Sequence, residues 1–182
     1  MDMHFDLTRD ARRTAIAGQL REALGEAGWA AVTADAARAG VPKRHHHDIG
    51  EVRATIEGLN APLAVKESML RVYGILADAE ALVHGRPVEE THFHEVGDGE
   101  RILNTLGICF AFDQLGPGCI TSTPVQTGSG QVQCAHGLMD IPTPATAAIL
   151  AQGIPICEEK LEGELCTPTS AAIIKYFLFP EA

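Results

Sequence analysis

Aromatic side chains are scarce: Phe, Trp and Tyr make up 5% of the 182 residues. A core built from this chain therefore has to be aliphatic. Basic charge is short as well. Lys and Arg number 14 against 24 Asp and Glu, a formal net charge of −10. That argues against nucleic acid and anionic membranes as partners, because both reward clustered cations. No apolar run reaches the length of about 18 residues that a membrane-spanning helix requires, and the N-terminus MDMHFDLTRDARR has no apolar signal core. Cysteine offers no framework. Cys109, Cys119, Cys134, Cys157 and Cys166 are odd in number and no two are spaced C-x-x-C, as expected of a reduced, cytoplasmic protein. Repeats, low-complexity tracts and obvious linkers are missing. So are a Walker loop, a dinucleotide fingerprint, a serine-hydrolase elbow and zinc-ribbon spacing. These gaps point to a soluble chain, long enough to bury a core without staples, whose chemistry rests on dispersed side chains.

The hydrophobic pattern is helical in the first half. Ile16, Leu20, Ala23, Leu24 and Ala27 predict a helix over 9–27, stopped by Gly28. Residues 28–44 are rich in Ala and Gly and carry Trp29, with no element expected. Asp48 caps a short helix bearing Ile49, Val52 and Ile56. A long helix is expected over 61–84, with Asn60 as cap and Gly85 as stop. A short strand follows at 92–96, then a helix over about 100–115. The second half changes character. CITSTPVQTG, GQVQCAHG and IPICEEKLEGELC read as strands broken by Gly and Pro. Helices begin at Pro144, capped by Thr143, and at Pro168, capped by Thr167. The expected fold class is α/β (α+β): a helix-rich first half, then a mixed sheet with short helices. One domain is expected over 1–182, with 1–40 a divergent helical segment.

Several stretches carry residues suited to chemistry. In HFHEVG, strand alternation places His92 and His94 on one face and Phe93 on the other. Imidazole is the commonest ligand for borderline divalent metals; the plain alternative is a rim strand with hydrogen-bonded histidines. Glu95 points away from that pair, which suits a general base better than a third ligand. His45, His46 and His47 form either a loose metal-binding run or a solvated loop. The turn at Gly128, Ser129 and Gly130 could bring backbone N–H groups to an anion, or could be a simple hairpin. Cys134 and His136, two apart, could share a strand face. Thr167 and Thr169 flank the start of the last helix, whose free N–H groups could hold a phosphate; a well-capped structural helix is the alternative. His84, at a helix C-terminus, is accounted for by the helix dipole.

Four stretches in order, RHHHDI, VHGRPVEETHFHEVG, GSGQVQCAHGLMDIPTPAT and EGELCTPTSAA, resemble the N-terminal domain of the nickel-insertion protein LarC family over roughly residues 43–178. The resemblance implies a CTP-dependent cyclometallase (a lyase-class nickel chelatase). It inserts Ni(II) into a pyridinium-3,5-bisthiocarboxylic acid mononucleotide, with Mg or Mn assisting, to make the nickel-pincer cofactor of lactate racemase. Carried over, His92, His94, His136 and His45 are the expected nickel ligands. Glu95, with His94, is expected at the reacting carbon. Gly128, Ser129, Gly130, Thr167 and Thr169 are expected on the nucleotide. The chain also departs from the family. Nothing in 1–40 resembles the family's opening strand and GISGDM-like turn. Glu100 and Asn104 stand where aspartates are usual, so a carboxylate could be missing from the site. Ser170 replaces a glycine. The C-terminal domain that holds CTP in the family is not in this sequence, so a separate subunit of that type, or a homo-oligomer, is an expected partner. A nickel-binding accessory protein and a different nucleotide-processing enzyme using the same pocket are the competing readings.

Overall fold

The structure is a computed structural model that describes residues 1–181. Strand β1 (Asp2–Phe5) pairs in parallel with β2 (Cys119–Ser122), Met3 opposite Ile120 and Phe5 opposite Ser122. This corrects the expectation that residues 1–40 lack an opening strand. Four residues of alternating exposure are too few for periodicity to register in sequence. Phe5 and Leu7 are fully buried, and Phe5 packs on Phe112 at 5.8 Å between ring centres. The N-terminal segment therefore folds into the same core as the rest.

Helix α1 (Arg13–Arg38) continues beyond its expected stop at Gly28. The break falls instead at Gly25, whose φ of 69° kinks the helix. The Ala-rich stretch that follows has high helix propensity and resumes the helix, burying Val32 and Ala36. Helix α2 (Ile49–Gly58) is capped as expected, Asp48 accepting the Glu51 N–H at 2.8 Å. In α3 (Leu63–His84) the cap position is Pro62 rather than Asn60, and left-handed Gly85 ends it. Helix α4 (Gly99–Leu115) starts under an Asp98 cap. Helices α5 (Pro144–Leu150) and α6 (Pro168–Leu178) begin at the Thr-Pro pairs that predict them. Helix α3 is central, touching α2, α4, α5 and α6. Its buried Val65, Met69, Tyr73 and Leu76 meet Ile102, Leu106, Ile173 and Ile174 in an aliphatic core.

The fold class is α/β as expected, with the strands in separate pairs. Strand β3 (Gly128–Ser129) pairs antiparallel with β6 (Gly163–Glu164), and β4 (Gln131–Cys134) forms a hairpin with β5 (Gly137–Asp140). The expected strand over 154–166 is mostly irregular, joined to the rest by β6 and by bridges at Ile156 and Glu162. Pro155 and the charged run at 158–160 suit a loop better than a ladder. No strand forms at 92–96 either. That segment makes only single bridges, His92 to Asp48 and, just beyond it, Asp98 to His45. Among the described residues no helix is long and apolar enough to cross a membrane.

The bridges bring the His45–His47 run against HFHEVG, and His46 locks them. It is fully buried, its Nδ1 donating to Gly97 O at 3.0 Å and its Nε2 accepting from Thr55 Oγ1 at 2.8 Å. Burial holds this imidazole below its ordinary value of 6.5, opposed by the bond to Gly97. An unfolded chain therefore takes up a proton that the folded one resists. The contribution is present above pH 6.5 and is lost as pH falls through the lower folded value. His46→Gln removes this linkage. The stability difference between wild type and variant, from urea unfolding, should shrink between about pH 7.5 and about pH 5.5. A difference that stays constant across that window would refute the assignment.

Candidate functional site

A cleft of about 270 Å³ opens between the end of α3, the loop at 92–98, the first turn of α4 and the tip of the β4–β5 hairpin. Local physics sets each wall. Phe93 is buried against Tyr73, with 6.2 Å between ring centres, and the Tyr73 hydroxyl donates to Val96 O at 3.1 Å. Burying Phe93 turns its neighbours His92 and His94 outward. Ala135 and His136 form the two-residue turn between Cys134 and Gly137, and Gly137 has the positive φ (98°) that closes it.

The imidazoles of His94 and His136 meet edge to face, 4.8 Å between centres, and His84 lies tilted against His136 at 5.2 Å. Glu80, one turn before His84 on α3, brings Oε2 to 3.4 Å from His84 Nε2. Glu95 latches loop to hairpin: Oε1 accepts the Ala135 N–H at 2.9 Å, while Oε2 is 3.6 Å from an Arg101 nitrogen. Cys134, Glu164, Gln133 and Thr143 add to the polar lining. Partial desolvation, followed by the imidazoles of His136, His84, His92 and His45, holds His94 below its ordinary value. Burial pushes the Glu80 carboxyl up, opposed by His84 and His136. Burial and then Glu95 push the Glu164 carboxyl up. Imidazoles beside carboxylates suit a borderline divalent cation. Among the described residues, no three His, Cys, Asp or Glu stand in position to hold an ion as they are.

The structure therefore gathers His94, His136 and Glu95, but not the other expected site residues. His92 is exposed, outside the lining, with its backbone bridged to Asp48. His45 turns Nε2 to Phe93 O at 2.7 Å. The Gly-rich turn is closed rather than open to an anion. The Gly128 N–H is taken by Gln126 Oε1 at 3.0 Å, and Ser129 Oγ donates to Leu161 O. A Cβ on Gly128 would lie 1.8 Å from Gly163 O, so this glycine serves close chain approach. Gly130 opens the hairpin with φ 98°. At α6, Thr167 and Ser170 make a reciprocal capping box that consumes both their N–H groups. Pro168 has no N–H to offer, and Thr169 is buried. The departures at Glu100 and Asn104 lie in a separate groove between α1 and α4, beside Arg13 and Trp29. They take no carboxylate from the cleft, where α4 instead contributes Arg101.

Sequence reading misses Glu80, His84 and Arg101. The i, i+4 spacing of Glu80 and His84 was the available signal; nothing local marks Arg101.

The pattern of the family described as nickel insertion protein matches residues 9–179. A Staphylococcus saprophyticus protein named pyridinium-3,5-bisthiocarboxylic acid mononucleotide nickel insertion protein is 42% identical over 131 residues, covering 72% of this chain and 33% of the relative. Proteins of the same name from Staphylococcus epidermidis and Desulfitobacterium hafniense are each 40% identical, covering 72% and 71% of this chain and 33% and 32% of their own lengths. The chain thus spans about a third of the length of these relatives. No solved structure matches it. Its match to the family pattern runs through nearly all of both halves of the fold, and the chain belongs to the nickel insertion protein family.

Proposed function

We propose that this chain acts in the cytoplasm to deliver Ni(II) into pyridinium-3,5-bisthiocarboxylic acid mononucleotide, maturing the nickel-pincer cofactor of lactate racemase. The observation that carries the reading is the convergence of His94, His136 and Glu95 on one cleft, two imidazoles beside an anchored carboxylate. Nickel is cargo here. A few protein nitrogens hold it briefly, and the two sulfurs of the substrate complete its coordination. As the carbon–nickel bond forms, the pyridinium carbon loses its proton. Glu95 is placed to take that proton, since Ala135 and Arg101 fix the carboxylate at the cleft wall. Arg101 supplies a guanidinium for an anionic group of the substrate.

CTP with Mg or Mn is assigned elsewhere. Hard cations need grouped oxygen ligands, and the cleft carboxylates are spread among separate partners. The residues present do not fit a resident magnesium–nucleotide group. A C-terminal-type domain or subunit would supply it. The closed turn at Gly128 and the capped start of α6 favour one rival, a nickel-binding accessory protein without catalysis.

One experiment separates the two. The chain is incubated with nickel, CTP, Mg and the thiolated mononucleotide, with and without a family C-terminal domain, and the products are read by mass spectrometry. Nickel-pincer product is expected when both parts are present. Nickel binding without product in either mixture would establish the accessory role instead.

A further inference from the structure

We infer that His84, at the end of α3, is a third imidazole ligand of the ion held by His94 and His136, and that Glu80 is its positioning residue. The inference rests on the nickel reading above and adds to it a ligand and the carboxylate that orients it.

Spacing is the first argument. A metal–imidazole bond is about 2.1 Å and the ring nitrogen lies about 1.1 Å from the ring centre. Two imidazoles sharing one ion at square to tetrahedral angles therefore have centres about 4.5–5.2 Å apart. The observed separations, 4.8 Å for His94–His136 and 5.2 Å for His84–His136, fall in that range. Two of the three ring pairs stand at that separation, but as the side chains lie no three donors among the described residues are placed to hold an ion. Rotation of side chains is what the geometry requires for all three nitrogens to face one point.

Orientation is the second. Nε2 of His84 faces Glu80 Oε2 at 3.4 Å. An N–H at Nε2 leaves the Nδ1 lone pair free for a metal, and a carboxylate behind a ligating imidazole fixes its tautomer and raises its basicity. Both residues sit one turn apart on α3, so the pair is held by a rigid element. The Glu80 side chain is only 14% exposed. The helix dipole accounts for a cation at position 84, but not for a largely buried carboxylate behind it and two further imidazoles in front.

Function is the third. The three ligands come from α3, the loop at 92–98 and the β4–β5 turn, so the ion would tie three walls of the cleft together. Three imidazoles leave coordination positions open, as a site that hands its ion to sulfur ligands requires.

The test is calorimetric titration of NiCl₂ into the full chain, with X-ray absorption of the nickel complexes to count imidazoles. His84→Ala is expected to weaken nickel binding about tenfold and to reduce the count from three to two. Glu80→Gln is expected to weaken it by about 10- to 100-fold, with partial rescue by Glu80→Asp, which a merely structural loss would not show. His84→Gln, read the same way, stands in if His84→Ala does not fold. His94→Ala is the reference. If it weakens binding while His84→Ala stays within twofold of wild type at an unchanged imidazole count, the inference is overturned and the nickel reading stands. If the wild type binds no nickel, both fall.

Discussion

Gly97→Ala is expected to destabilise the fold by at least about 3 kcal/mol, lowering the thermal midpoint by roughly 6–12 °C. A Cβ built at this position lies 1.9 Å from the His46 carbonyl oxygen, 2.9 Å from its carbon and 3.2 Å from Phe93 Cβ. Two of these atoms are backbone and cannot swing aside. The Gly97 carbonyl also accepts from His46 N at 2.8 Å and from His46 Nδ1 at 3.0 Å. A shift that relieves the overlap stretches both bonds and opens the buried imidazole to water. The damage reaches the cleft. Gly97 anchors the loop that carries His94 and Glu95, so lifting it breaks the Glu95–Ala135 latch and parts His94 from His136. Nickel affinity should fall with stability. Gly107→Ala is the control: it lies within α4 with no atom inside 4 Å of its Cβ. Removing backbone freedom there should raise stability by about 0.5–1 kcal/mol. A Gly97→Ala protein that melts with the wild type would show that the chains do not approach so closely.

Gly97 illustrates what was legible in sequence and what was not. The motif HFHEVG stands out by composition and yields the correct alternation: Phe93 is buried, His92 and His94 are exposed. The helices at Thr143-Pro144 and Thr167-Pro168 were readable because a cap and a first-turn proline act within a few residues. Other features depend on partners distant in the chain. Strand β1 exists because residues 119–122 lie beside it. The segment at 92–96 is held by single bridges to the histidine run instead of a ladder. The turn at Gly128–Gly130 reads locally as an anion cradle. Gln126 and the stretch around Leu161–Gly163 close it, and neither is visible from GSG itself. Ser170, a departure from the family pattern, accepts the Thr167 N–H through its Oγ, while Thr167 Oγ1 accepts the Ser170 N–H, so neither is left for a phosphate. Periodicity identifies elements, whereas occupancy of a donor is decided by the tertiary neighbour that reaches it first.

Combining His94→Ala with His136→Ala is expected to weaken nickel binding at least 100-fold, about 2.7 kcal/mol, while His92→Ala changes it less than threefold. Sequence spacing pairs His92 with His94, because side chains two apart on a strand share a face. The fold pairs His94 with His136 instead, across the hairpin tip and with 4.8 Å between ring centres. His92 lies outside the lining of the cleft. The two pairings make opposite predictions for the single variants, which calorimetry can read directly. The histidines at 94 and 136 are exposed and fill no core position, so the double variant should unfold within a few degrees of wild type, and a loss of affinity would reflect lost donors. If His92→Ala carries the large effect and His136→Ala does not, the binding site lies on the rim beside His45 and His47. The cleft would then be left to the organic substrate. If His136→Ala carries it, the ion enters where Glu95 and Arg101 already stand. Metal, base and anchoring cation then share one wall, as a reaction that exchanges a carbon-bound proton for a carbon–nickel bond requires.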